Sequence, residues 1–143
     1  MAGPLVADTG GLLRAIAKRP NGRPMWPDFE RALRSATRVV IPALVLVEVD
    51  YFLRRNRRAM HALLAEIFNP RTTYEFHAPT KEDVTRAIEL DRKFHQLEIG
   101  LVDGAVAALA ERLRIYRILT IDQEDFGPLR VGSRFTQTLE IVP

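Results

Sequence analysis

The chain has no cysteine among its 143 residues, which excludes a disulfide framework, a thiolate zinc site and a cysteine nucleophile, and suits a reducing compartment. Histidine is scarce, and His61, His77 and His95 show no metal-ligand spacing and adjoin no acidic motif, so they read as surface or core packing. No apolar run approaches the roughly eighteen residues of a membrane span. The longest, Val39 to Val47, is broken by Pro42 and stops at Glu48. The segment Met1 to Ala7 has no basic stretch ahead of a long apolar one, so no secretory signal is read there. The chain also lacks repeats, low-complexity tracts and Gly/Ser linkers. The expectation is a soluble cytoplasmic protein without membrane contact, formed as one domain over residues 1–143.

Lysine is rare, and arginine is not: 18 of the 21 basic residues are Arg, and the net charge is +3. Guanidinium groups fork onto phosphate oxygens, so anionic partners suit this composition, although on net charge alone genome composition and a solvated arginine-rich surface are the commoner explanation. Apolar strand-like runs alternate with helical patterns, which predicts a layered α/β fold with parallel strands. Strands are expected at Pro4–Asp8, Val39–Ile41, Thr72–His77 and Tyr116–Ile121, with a short edge strand at Thr138–Val142. Helices are expected from Thr9 to Lys18, Trp26 to Ala36, Ala43 to Leu53, Arg57 to Phe68, Thr80 to His95 and Leu101 to Leu113. Met60, Leu63, Leu64, Ile67 and Phe68 should make one apolar face, and Val84, Ala87, Ile88 and Leu90 should face inward in part. Thr80 and Asp83 have the spacing of a capping box.

Four carboxylates, Asp8, Glu48, Asp103 and Asp122, sit where apolar runs end or where a helix is otherwise apolar. Sites in open parallel sheets form beyond the carboxyl ends of the strands. Asp8 and Asp122 fall at that end of the first and fourth expected strands, Asp103 opens the helix leading into the fourth, and Glu48 lies on the helix leaving the second. Val45, Glu48 and Phe52 share a helical stripe, with Asp50 on the other side. Each acid has a bland explanation: Asp8 and Asp103 as helix caps, Asp122 as a turn former, Glu48 as an ordinary helical residue. Gathered together, they would repel unless a divalent cation neutralised them. The combination predicts a Mg²⁺- or Mn²⁺-dependent nuclease.

Four stretches, Val6–Leu13, Ile41–Val49, Leu101–Ala110 and Leu119–Phe126, carry these acids in order along nearly the whole chain. Together they resemble the motifs of the PIN-domain family, and specifically its VapC-type ribonuclease toxins from type II toxin–antitoxin pairs. The resemblance implies a PIN-like three-layer α/β/α sandwich around a mainly parallel five-stranded sheet. It also implies a homodimer, a Mg²⁺- or Mn²⁺-dependent endoribonuclease activity, and inhibition by a cognate VapB-type antitoxin. It assigns catalytic and metal-binding roles to Asp8, Glu48, Asp103 and Asp122, with Asp125 as a further candidate ligand. Thr9 and Thr120 become supporting groups, Thr120 orienting a carboxylate or water.

RNA must also be gripped. Arg54, Arg55, Arg57 and Arg58 form one basic cluster and Arg14, Lys18, Arg19 and Arg23 another; from these, Arg14, Lys18, Arg54 and Arg55 are the candidate RNA contacts. Solvated helix ends or protein contacts explain the clusters as well. Trp26 and Phe29, at the start of a helix, read as core or staple residues before they read as base-stacking ones. Two rival readings remain. The Asp8-Thr9-Gly10 run resembles the loop of aspartic proteases, but those are mostly β, whereas Gly11 onward is helical by pattern. The other rival is a non-catalytic PIN-like module that binds RNA or protein. Two features depart from the family pattern: Gly104 beside Asp103, where a better helix former is expected, and Arg19–Pro27, whose three prolines carry no family signature.

Overall fold

Leu5, Val6 and Ala7 lie beside Val39, Val40 and Ile41 with almost no exposed surface, because two continuous apolar runs can be covered on both faces only inside a parallel sheet. The computed structural model describes residues 2–143, so Met1 of the segment read for a secretory signal lies outside the described residues. The first run is β1 (Pro4–Ala7), followed by α1 (Thr9–Ile16) and α2 (Pro27–Ser35). The second is β2 (Arg38–Pro42), followed by α3 (Ala43–Phe52) and α4 (Arg57–Ile67). Then come β3 (Tyr74–His77), α5 (Lys81–Lys93), a single 3₁₀ turn at His95–Leu97, and α6 (Gly100–Leu113). The chain ends with β4 (Arg117–Leu119), α7 (Gln123–Phe126), β5 (Arg130–Val131), β6 (Gln137–Thr138) and β7 (Glu140–Val142).

The five-stranded sheet has the order β3-β2-β1-β4-β7, every neighbouring pair is parallel, and helices flank it as the α/β/α layering requires. Val6 is in register with Val40 on one side and Ile118 on the other, and Ala7 with Leu119. The ladder therefore brings the residues after β1 and β4 to the same edge. Among the described residues no helix is long and apolar enough to cross a membrane.

Two glycines set the packing. At Gly11 a Cβ would lie 2.1 Å from the Leu119 carbonyl oxygen, so only glycine lets α1 start directly against the end of β4. At Gly104 a Cβ would meet the Ala87 Cβ at 3.1 Å, which accounts for the departure noted beside Asp103: α6 approaches α5 closely there. The α5–α6 pair is also tied by charge. Thr80 and Asp83 form the expected capping box, and the buried Asp83 additionally accepts two bonds from Arg112, at 2.9 and 3.1 Å.

Several expectations are corrected. The last strand starts at Glu140, because Thr138 instead pairs antiparallel with Arg130 in the separate β5–β6 hairpin. The fourth strand ends at Leu119, which leaves Ile121 outside the sheet and half exposed. Ile88 and Phe68 point to solvent rather than inward, since Asp83, Ala87 and Leu90 occupy the buried face of α5, and Phe68 falls one residue past α4 to stack against Phe76.

Candidate metal centre and active-site cleft

The site begins with a backbone bond. The Asp8 amide donates to the Leu119 carbonyl at 2.9 Å, extending the β1–β4 ladder by one step and setting Asp8 next to Thr120. Asp8 stands at the N-cap position of α1, yet its side chain caps nothing. Its carboxylate instead accepts the Thr120 hydroxyl at 2.8 Å. That hydroxyl oxygen in turn accepts the Asp122 amide at 3.0 Å, so its one proton is committed to Asp8. Asp8 and Thr120 are both buried. The capping explanation of Asp8 fails on this geometry.

Glu48 reaches the same cleft from α3, held by a hydrogen bond from the Thr9 hydroxyl on α1. Asp103 lies in the first turn of α6, but Ile99 holds the cap position, so Asp103 is not a cap either. Asp122 does act as a cap: its side chain accepts the Asp125 amide at 3.0 Å at the start of α7. Carboxylate oxygens of Asp103, Asp122 and Asp125 lie within 4.8 Å of one another. Asp8, Glu48, Asp103 and Asp122 all line one open cleft of about 420 Å³, with Thr9, Gly10, Arg14, Phe52 and Ile121 among its walls.

Electrostatics make these acids costly as they stand. Burial pushes the Asp103 carboxyl up to about 9, reinforced by its hydrogen bond with Asp125 and the charges of Asp8, Asp125 and Asp122. Asp8 is raised as well, chiefly by burial, against the lowering effect of Thr120 and the Thr9 backbone, and with Glu48 and Asp122 adding repulsion. Burial raises Asp122 too, with its carboxyl contact to Asp125 and the charges of Asp125 and Glu124 adding to it while the Asp125 amide offsets part. Among the described residues, no Lys, Arg or His forms an ion pair with any of the five acids. The donor set is carboxylate oxygen without sulfur or imidazole. That set fits a hard, oxygen-seeking divalent cation of the magnesium and manganese class.

The candidate RNA contacts separate. Arg14 lines the acidic cleft, and Lys18 lies exposed on the adjoining hollow. Arg54 and Arg55 follow α3 and do not line it; Arg54 packs over the Tyr51 ring at 4.1 Å and donates to the Tyr51 carbonyl at 2.8 Å. The unmatched stretch forms a tight hairpin, with an antiparallel bridge between Lys18 and Pro24 and Gly22 in the left-handed region at φ 83°. One wall residue, Ile121, escaped the sequence reading because it continues an apolar strand pattern. The signal was Gly10: a Cβ there would lie 2.6 Å from the Ile121 side chain.

The sequence model of the PIN domain family matches residues 5–127. Ribonuclease VapC26 of Mycobacterium tuberculosis is 32% identical over 106 residues, spanning 71% of this chain and 77% of that protein. The crystal structure of M. tuberculosis VapC20, a sarcin–ricin loop cleaving toxin, superimposes with a TM-score of 0.68 at 20% identity, covering 83% of this chain and 90% of that one.

Proposed function

Since this chain belongs to the PIN-domain family, we propose that it is a divalent-metal-dependent endoribonuclease and the toxin of a type II toxin–antitoxin pair. The observation that carries the reading is the convergence of four carboxylates from separate elements on one cleft, with no cationic side chain paired to them among the described residues. Ribonuclease activity comes from the relative that bears that name. Asp8, Asp103, Glu48 and Asp122 would hold Mg²⁺ or Mn²⁺, with Asp125 beside them. When bound, such a cation offsets phosphoryl charge and lowers the pKa of water.

The chain's own residues do the rest. Thr120 fixes the orientation of the Asp8 carboxylate, and Thr9 that of Glu48. Arg14, on the wall of the same cleft, would contact a phosphate of the bound strand. Water adds to the phosphorus as the bond to the 3′-oxygen breaks, giving 5′-phosphate and 3′-hydroxyl ends. The further partners are a VapB-type antitoxin and a second copy of this chain, the latter supported by the exposed apolar residues Val47 and Tyr51 on α3. The cytoplasm is the expected compartment.

Purified protein incubated with total RNA and Mg²⁺, Mn²⁺ or EDTA, beside Asp103→Asn, tests this. Discrete cuts that need metal and vanish in the variant are expected. RNA binding with no cutting under any cation would instead identify a non-catalytic RNA-binding module.

A further inference from the structure

One cation of the cleft has no counter-ion. Arg14 forms no ion pair or side-chain hydrogen bond among the described residues, yet aromatic rings hold its guanidinium, Trp26 at 4.1 Å and Phe29 at 5.4 Å. Phe29 packs on the core, whereas Trp26 is 39% exposed and lies outside it. A large indole left at the surface at the start of a helix is the reverse of the staple expected there. Leu13 and Arg14 line both the acidic cleft and a second hollow of about 460 Å³, whose walls include Trp26 and Lys18. The two hollows therefore meet at Arg14.

Spacing relates them to one bound strand. Gly10, in the acidic cleft, and Arg14 are four residues apart on α1, about 6 Å along the helix axis. A strand stacked in a DNA duplex advances about 3.4 Å per nucleotide along its axis, and an unstacked strand spans more per nucleotide. The hollow beside Trp26 thus corresponds to a position one or two nucleotides from a phosphate in the acidic cleft. A guanidinium whose rotamer is already fixed by rings loses little freedom when it forks onto a phosphate. An exposed indole offers a π-surface to any base that has left its stack, which a paired duplex does not supply.

We infer that Arg14 and Trp26 form a nucleotide subsite beside the acidic cleft, which takes an unpaired RNA nucleotide one or two positions from the cut, its phosphate on Arg14 and its base on the indole. The inference rests on the nuclease reading and narrows it: the substrate is single-stranded or looped at that position. Hairpin Lys18–Pro24, which carries the chain from α1 to Trp26, acts as a positioning element.

Trp26 is the sole tryptophan of the chain, so indole emission reports on this subsite alone. The Asp103→Asn protein with Mg²⁺ is titrated with a mixed-sequence RNA strand of about 12 nucleotides, within the usual span of single-strand sites, and with its blunt duplex. The single strand is expected to quench emission at least about twofold more than the duplex, and an abasic residue at one position should remove the effect. With the RNA that wild type cuts, Trp26→Leu should raise KM about tenfold with kcat changed less than about twofold, and Trp26→Phe should restore most of the loss. Unchanged emission at saturating RNA, or equal KM in wild type and a folded Trp26→Leu, overturns the subsite. A response to a co-expressed partner protein but not to RNA overturns it as well. Cutting without quenching sinks the subsite and leaves the nuclease, whereas quenching without cutting does the opposite.

Discussion

Asp103 is held far from the ordinary behaviour of its carboxyl group by burial and by the neighbouring acids. Its carboxyl titrates near 9 in the fold against 3.8 for the ordinary group, so the folded chain keeps a proton through that interval that the unfolded chain has released. Stability of the metal-free protein therefore falls as pH rises across it. Glu75, held near 2 by Arg38, and Asp83, held low on balance by Arg112 against its burial, gain or lose their contribution only at the acid end of this window and below it. Thermal melts in EDTA should show the midpoint dropping by about 5 °C or more between mildly acidic and mildly alkaline buffer. Asp103→Asn should flatten that slope and stabilise the alkaline metal-free protein by roughly 1–2 kcal/mol, a value reduced for the half-exposed site, while abolishing cleavage. Mg²⁺ or Mn²⁺ should raise the wild-type midpoint at alkaline pH and have far less effect on the variant. A flat wild-type profile in EDTA would mean that the cleft acids are compensated in another way.

The elements are held to the site by contacts of different tolerance. Gly11→Ala drives a Cβ into the Leu119 backbone, which cannot yield without moving β4, so a loss of about 2–4 kcal/mol in denaturant melts is expected, together with loss of activity. Gly104→Ala meets its neighbour at 3.1 Å, and the gain of helix propensity, about 1 kcal/mol, offsets most of the crowding. Thr120→Val keeps the volume but leaves the Asp8 carboxylate and the Asp122 amide without their shared partner. It should cost about 1–3 kcal/mol in stability and lower cleavage roughly 10- to 100-fold. Most elements were legible because period and punctuation agreed: the Thr80–Asp83 cap, the apolar repeat of Leu101–Leu113, and Asn69–Pro70 after the Arg57 helix. The two-residue strands β5 and β6 were not, since two residues carry no period. Ile88 misled because an apolar residue at helical spacing counts as buried until the neighbouring helix is placed.

Across the whole molecule the net charge is +3 and basic residues outnumber acidic ones, 21 to 18, so on the proposed function RNA is held through phosphate contacts that salt weakens. Affinity of Asp103→Asn for RNA should fall on the order of 10²-fold or more between 50 and 200 mM salt. A shallow slope, measured by filter binding, would mean that few of the arginines touch RNA. The gathering of the acids was legible at this scale, since each sits where an apolar run ends or where a helix is otherwise apolar, and all fall at one expected sheet edge. The Arg14–Trp26 stack was not, because the two are joined across the Lys18–Pro24 hairpin, whose geometry no periodicity announces.

The cleft draws its acids from positions 8, 48, 103 and 122, and β4, which aligns the last of them, is flanked by β7 at Glu140–Val142. No early part of the chain holds a rudimentary version of the site. During translation, therefore, a growing polypeptide that has not reached Asp122 lacks part of the acid set, and the cleft is complete only late in the synthesis of this segment.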